Sequence, residues 1–162
     1  MLPDDAVDRI VAGCRSIGAL CQSQGVQQWE IVATQSYGHS IDIEAGKIAL
    51  AAGGGEGGYG IRIVEDGRFG YAYLVDIGSA NYAIQQARDI AKVSPSVKGF
   101  FLPSEQEAKK VGGLFDKNIL SIGPEDLLEQ ADAILSEVAS LDERAVVTGG
   151  GLGVGASADA IF

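Results

Sequence analysis

The Asp66-Gly67 pair constrains the fold of this chain more than any other feature of the sequence. It separates two apolar runs, IRIVE and RFGYAYL, and it is a favoured two-residue hairpin loop, because both centres of a type I′ turn need positive φ. The turn sets a register in which Glu65 faces Arg68 and Arg62 faces Tyr71. Opposite charges and apolar groups then meet across the ladder, so we predict an antiparallel hairpin.

A second turn, Ala45-Gly46, predicts another hairpin just upstream. Its register places Ile41 opposite Leu50 on one apolar face. With a further strand over residues 29–38, the hairpins predict an antiparallel sheet of about five strands. The glycine-rich run Gly53 to Gly58 is expected to be a flexible joint within that sheet.

Three segments have the spacing of amphipathic helices: residues 3–24, a stretch from Ser79 that ends before Pro95, and one that begins at Gly123-Pro124. The second stripe is mostly alanine, which favours close packing on the sheet at Gly70 and Ala72. The sequence therefore predicts an α+β fold with three main helices packed mostly on one face of the sheet. The residues predicted to point inward are Val7, Ile10, Val11, Cys14, Ile17, Cys21, Ala80, Ala83, Ile84, Ala87, Ile90, Ala91, Leu127, Ala131, Ile134, Leu135 and Val138.

The regions around the third helix are less regular. Residues 94–122, which include SEQEAKK, are predicted to be a long connection. A strand is expected at Ala145 to Thr148, and a second possible strand ends at Ile161-Phe162, with a glycine-rich hairpin between them. Residues 1–162 are interpreted as a single domain, and the apolar end of the chain suggests a fragment of a longer protein.

Two glycine patterns raise the possibility of nucleotide binding. Gly53-x-Gly55-x-x-Gly58 has the letters of a dinucleotide fingerprint, but a strand follows it where the mechanism needs a helix N-terminus. Thr148-Gly149-x-x-x-Gly153-x-Gly155 is similar to the nucleotide loop of short-chain dehydrogenases. Only seven residues follow Gly155, so the phosphate-binding helix and the ribose-binding acid cannot lie in this sequence. We therefore favour structural roles for both patterns.

The formal charge of −10 argues against direct binding to nucleic acid or to anionic membranes, because both interactions depend on clustered Lys and Arg. No apolar run approaches the ~20 residues of a membrane span, and the N-terminus lacks a basic signal-peptide region. A cytoplasmic location is expected. Cys14 and Cys21 are interpreted as buried reduced thiols on the first helix.

No catalytic, cofactor-binding or metal-binding residue is predicted in this sequence. His39 is the only histidine, and no Cys-x-x-Cys or His-Glu pair accompanies it. No Ser, Cys or Lys is placed beside a base. One sheet face carries more aromatic surface than an exposed face should, so we expect it to be covered by a helix or a partner. This possible partner surface consists of Arg62, Val64, Phe69, Tyr71 and Tyr73.

The chain resembles the N-terminal domain of the TldD/PmbA family, known as modulators of DNA gyrase and as peptidases. The resemblance rests on IDIEAGKIALAAGG, GYGIRIVEDGRFGYAYL, SANYAIQQARDIAKVSP, Leu114-Phe115-Asp116, GPEDLLEQA and the final glycine-containing strand pair. It covers nearly the whole chain. The run GGGEGG departs from the more polar connection that is usual in the family.

The resemblance implies a non-catalytic domain whose parent is a zinc-dependent peptidase, or its partner subunit, that acts on small or unfolded peptides. Zinc would bind a His-Glu-x-x-x-His motif downstream in TldD-type subunits, and this chain has no residues that match that motif. The implied assembly is a homodimer or a TldD-type/PmbA-type heterodimer. Whether this chain belongs to an enzyme is left open, and the alternative is a stand-alone, non-enzymatic module that binds peptides or proteins.

Overall fold

The computed structural model describes residues 5–104, 109 and 111–162. Four strands form one antiparallel sheet in the order β3-β2-β1-β4, and three α-helices accompany it, which confirms the predicted α+β fold. Pro3 and Asp4 of the predicted first helix, and most of SEQEAKK, lie outside the described residues. The elements are α1 (Ala6–Ser23), β1 (Gln28–Glu44), β2 (Lys47–Glu65), β3 (Arg68–Leu74), α2 (Ala80–Val93), α3 (Pro124–Leu141) and β4 (Gly149–Ile161).

Both predicted hairpin turns are present. The φ angles are 52° at Asp66 and 69° at Gly67, and 47° at Ala45 and 75° at Gly46. Positive φ at both centres is the requirement of a type I′ turn, whose twist matches that of the strands it joins. The β2–β3 register also agrees with the prediction, with Glu65 opposite Arg68 and the earlier pairs following in step.

The glycine run is not a flexible joint, because β2 continues without a break through Gly53–Gly58. The sheet accordingly has four long strands instead of about five shorter ones. The missing side chains make room for aromatic rings on β1. A Cβ added at Gly55 would lie 3.2 Å from the ring of Tyr37, and one added at Gly53 would overlap the ring of His39. Cross-strand ring packing therefore supports a segment whose own strand propensity is low.

The first hairpin contains one residue more on β2 than on β1. Its two-residue turn pairs Glu44 with Lys47, whereas Tyr37 lies beside Gly55, with its Cβ 3.9 Å from the Cβ position of that glycine. Seven positions separate Glu44 from Tyr37, but eight separate Lys47 from Gly55. An extra residue on one strand is a β-bulge, and it redirects the side chains beyond it. Leu50, predicted to share a buried face with Ile41, is instead 54% exposed.

The predicted strand at Ala145–Thr148 and the glycine-rich hairpin after it are both wrong. Residues 145–148 are not in a strand, and β4 runs through the glycines as one continuous strand. Two backbone hydrogen bonds show what this segment does instead of forming a strand. The amides of Ala45 and Gly46 donate to the carbonyl oxygens of Thr148 and Val147, at 3.2 and 2.8 Å. This segment thus accepts hydrogen bonds from the two central amides of the β1–β2 turn.

The chain divides into two compact units. One comprises Ser36–Glu56 and Val111–Ser157, and its core joins Ile41 and Ile43 of β1 to Leu127 and Ala131 of α3. α3 begins as predicted, with Pro124 at its first position and the Gly123 amide donating to the Asp126 carboxylate at 2.7 Å. The single-domain interpretation of residues 1–162 stays a prediction.

The second unit contains residues 5–35, 57–104 and 158–162. Glycines in α1 accommodate aromatic rings, because Cβ atoms added at Gly13 and Gly18 would overlap or crowd Tyr59 and Trp29. α2 lies on β3 as the alanine stripe predicted. A Cβ added at Gly70 would overlap the carbonyl oxygen of Ala87. The close approach of α2 to β3 therefore depends on the absence of a side chain at Gly70.

The predicted inward positions are mostly buried or partly buried, and the exceptions lie at the margins of the helical stripes. Val7, Ile90 and Ile134 are 55%, 45% and 42% exposed. Small residues take some of the buried positions instead, as at Ala6 and Gly13 of α1. Among the described residues, none of the helices is long and apolar enough to cross a membrane.

We expect Gly70→Ala to destabilise the fold by about 1 to 3 kcal/mol or more, because the methyl group meets helix backbone that has no rotamer with which to yield. Urea unfolding measures the loss. Gly54→Ala is the matched control, because no atom lies within 4 Å of the Cβ position of Gly54. Equal midpoints for the two variants would contradict the close packing of α2 on β3.

Gly67→Val is expected to cost about 1 to 3 kcal/mol, because φ is +69° and a β-branched residue is strongly disfavoured there. The added Cβ would also lie 3.1 Å from the carbonyl oxygen of Val97. Urea unfolding again measures the change. Stability equal to that of the parent would show that the turn does not hold the hairpin.

Candidate interaction surface

The hairpin of β2 and β3 has two different faces. Ile61 and Ile63 are at most 1% exposed and share their face with Gly70, on which α2 lies. Side chains alternate along a strand, so Arg62 and its cross-strand partner Tyr71 occupy the opposite face. All five residues of the predicted partner surface lie on this opposite face.

Part of that face is covered by the chain that follows α2. The Phe100 ring lies 5.6 Å from the Phe69 ring, and Val64, opposite Phe69, is 1% exposed. The covering segment is fixed where the Val97 amide donates to the Gly67 carbonyl at 2.8 Å. The amide of Leu102 likewise donates to Gln28 Oε1 at 2.8 Å. Val64 is therefore buried within this domain, and the Phe69 ring is partly covered by it.

Arg62 forms the polar centre of the uncovered part. Its Nη2 lies 2.6 Å from Glu30 Oε1, and the two side chains are only 28% and 23% exposed. The guanidinium carbon is 5.9 Å from the centre of the Tyr71 ring, within cation–π range. Hydrogen bonding to Tyr71, and then the Glu30 carboxylate, raise the pKa of Arg62 above its usual value. The positive charge of Arg62 is thus held in place and is balanced by the Glu30 carboxylate.

A groove lies beside this ion pair, with a volume of about 460 Å³. Tyr71 and Tyr73 of β3 and Val32 of β1 are 50%, 61% and 44% exposed and form its apolar walls. The backbone at Gly60 forms part of its floor. We call this groove, together with the Arg62–Glu30 pair, the open surface.

The open surface includes three residues that sequence reasoning missed: Glu30, Val32 and Gly60. The first two come from β1, and the register between β1 and β2 could not be counted through the bulge. The alternation of WEIVA did carry a signal, because Glu30 and Val32 share one strand face. An acidic residue on an otherwise apolar strand was a candidate partner for Arg62.

His39 and the two cysteines are not among the residues of the open surface. The His39 ring is half-buried on β1 and meets the Tyr37 ring edge-on at 5.1 Å. Cys14 and Cys21 are free and buried, and burial raises the pKa of Cys21 to about 11. Across residues 5–104, 109 and 111–162, no group of three or more His, Cys, Asp or Glu side chains could hold a metal ion.

The family model for PmbA/TldA metallopeptidase domain 1 matches residues 29–91, which span most of β1, all of β2 and β3, and most of α2. The chain belongs to the PmbA/TldD family. The residues that match the family model therefore include the β2–β3 hairpin, the helix packed on it and every residue of the open surface.

Relatives of this PmbA/TldD domain are longer proteins. An uncharacterized protein of Methanocaldococcus jannaschii is 30% identical over 123 residues, which are 76% of this chain and 28% of that protein. The crystal structure of TldE from Thermococcus kodakarensis matches with a TM-score of 0.82 and 20% identity, over 91% of this chain and 34% of that one.

A candidate modulator of DNA gyrase from Bacteroides thetaiotaomicron has a TM-score of 0.81 and 19% identity, over 100% of this chain and 37% of that one. Its fold and that of TldE are therefore similar to the fold described here. The chain spans about a third of the length of these relatives.

The Arg62–Glu30 pair is expected to contribute to stability because it is partly shielded from water. Glu30→Gln should cost about 1 to 3 kcal/mol, between the values typical of exposed and buried pairs. Arg144–Asp142 provides a matched control, since its separation is also 2.6 Å but its side chains are 84% and 42% exposed. Asp142→Asn should cost clearly less in urea unfolding, and equal losses would contradict the role of burial.

Proposed function

We propose that this chain is the non-catalytic first domain of a PmbA/TldD protein, and that it docks other parts of the assembly through the open surface. The complete protein, or its partner subunit, would be a cytoplasmic zinc-dependent peptidase that acts on small or unfolded peptides. The assembly would be a homodimer or a TldD-type/PmbA-type heterodimer. Zinc and the catalytic groups would come from outside this chain.

The observation that carries the docking role is the open surface itself. Arg and Tyr are the residue types that most often dominate binding energy at protein interfaces. Here Arg62 is already paired and oriented, while Tyr71 and Tyr73 are at least half exposed. Tyrosines with an apolar ring and a polar hydroxyl are suited to such surfaces. The surface therefore has the composition of an interface.

The donor groups of the described residues do not fit a catalytic zinc site. Such a site needs three protein ligands with a fourth position open to water. The imidazole of His39 packs on Gly53 and Tyr37, and the two cysteines lie on the buried face of α1. The raised pKa of Cys21 disfavours the thiolate that a metal requires. This supports a location for zinc elsewhere in the assembly.

We expect the purified chain to contain no stoichiometric zinc and to cleave no fluorogenic peptide, with or without chelator. Elemental analysis and a fluorescence assay measure the two properties. A full-length PmbA/TldD protein in parallel provides the positive control for cleavage. Stoichiometric zinc together with chelator-sensitive cleavage by this chain would overturn the proposal. Tight, zinc-independent binding of the uncleaved peptide would favour the stand-alone peptide-binding module.

A further inference from the structure

The β2–β3 turn contains two adjacent groups that can react with each other. Asp66 is the only aspartate of the sequence that is followed by glycine. Because Gly67 has no Cβ, no side chain of its own hinders the approach of the Asp66 carboxyl group to the Gly67 nitrogen. Asp66 is exposed, so water also reaches the carboxyl group. Such an arrangement favours an intramolecular reaction between side chain and backbone.

The amide of Gly67 is not held by a hydrogen bond. In the β1–β2 turn, the corresponding amide of Gly46 donates to the Val147 carbonyl oxygen at 2.8 Å. Within the part of the chain that the structure describes, no hydrogen bond has the Gly67 amide as its donor. An amide nitrogen must lose its proton to act as a nucleophile, and a hydrogen bond through that proton would first have to break. The Gly67 nitrogen is free of that cost.

The oxygen of the same peptide group accepts a hydrogen bond from Ser96. The Ser96 hydroxyl donates to the Asp66 carbonyl oxygen at 3.2 Å. The next residue is tied to the turn as well, since the Val97 amide donates to the Gly67 carbonyl oxygen at 2.8 Å. When the Gly67 nitrogen loses its proton, the negative charge is shared with the Asp66 carbonyl oxygen. A hydroxyl that already points at this oxygen stabilises the charge without reorganisation.

We propose that Asp66 is a site of isoaspartate formation, and that the Ser96 hydroxyl promotes the reaction in the folded chain. The Gly67 nitrogen forms a bond to Asp66 Cγ, and the amide proton and the carboxyl OH leave as water. A water molecule then adds to the main-chain carbonyl of the five-membered ring and breaks its bond to nitrogen. The backbone now runs through Cγ. The net change is an isomerisation, which needs no oxidant and no co-reactant other than water.

Isoaspartate at this position changes the hairpin itself. It adds one methylene group to the backbone of a two-residue turn, whose geometry sets the pairing of Glu65 with Arg68. It also leaves a carboxylate on Cα at an exposed position, where an enzyme that methylates isoaspartyl groups can reach it. The inference does not depend on the proposed function, because it concerns the turn and not the open surface.

The test incubates the folded chain for several weeks at neutral pH and physiological temperature. Isoaspartate is quantified with isoaspartyl methyltransferase and labelled S-adenosylmethionine, and is located by peptide mapping with electron-transfer mass spectrometry. We expect it to accumulate at Asp66 and at no other aspartate. Ser96→Ala should slow its formation about fivefold, the factor that one typical hydrogen bond corresponds to. Ser94→Ala is the matched control and should match the parent, because the Ser94 hydroxyl donates to the Ile90 carbonyl oxygen instead.

The same measurement in urea separates the effect of the fold from that of the local sequence. The unfolded chain lacks the bond from Ser96, so the parent and Ser96→Ala should then react at equal rates. Ser96→Thr keeps the hydroxyl and should react like the parent when folded. Thermal unfolding first establishes that each variant is folded, and Ser96→Val, which has the shape of Ser96→Thr, replaces Ser96→Ala if that variant does not fold. Isoaspartate that is absent from Asp66 or spread over several aspartates would overturn the proposal. So would equal rates for the folded parent and the variant without the hydroxyl.

Discussion

The fold of the matched region depends on the contact between the backbone of β3 at Gly70 and the backbone of α2 at Ala87. Without a Cβ on the strand at Gly70, and with mostly alanine on the buried stripe of α2, the two elements approach until their main chains almost touch. Ile61 and Ile63 are buried on the same sheet face. Since one face of the hairpin is committed to α2, the opposite face remains for the Arg62 ion pair and the tyrosines. The open surface therefore follows from a packing constraint on the other side of the sheet.

Glycine has a second role in this chain, within strands instead of turns. In β2, Gly53 and Gly55 have no side chains to pack. The rings of His39 and Tyr37 on the neighbouring strand pack over them instead. Strand formation in this glycine run depends on the neighbouring strand, since the run itself has low strand propensity. The same reasoning explains why β4 forms through GGGLGVG beside β1. Backbone pairing in an existing sheet compensates for weak local preference.

The parts that could be predicted from the sequence are those with a local chemical cause. The glycines of Asp66-Gly67 and Ala45-Gly46 tolerate the positive φ that a type I′ turn requires, so they indicated the turn type, and the β2–β3 hairpin followed with its register. Pro124 indicated the start of α3 because its fixed φ suits the first helical position. The errors arose where distant segments decide the outcome. The Phe100 ring packs on Phe69, and Glu30 reaches Arg62 across a register that the bulge displaces. The alternation of WEIVA indicates the strand face of Glu30 but not which residue of β2 lies opposite it.

The Arg62–Glu30 pair limits what kind of partner would suit the proposed docking role of the open surface. Most of the cost of removing these charges from water is already met within the domain, because about three-quarters of each side chain is buried and their oxygen and nitrogen lie 2.6 Å apart. A partner that covers the remainder need not bring a counter-charge, and one that did would compete with Glu30 for Arg62. In the proposed docking role, the tyrosine rings would supply the contact area, and the surface would favour partners that cover the Arg62–Glu30 pair without disturbing it.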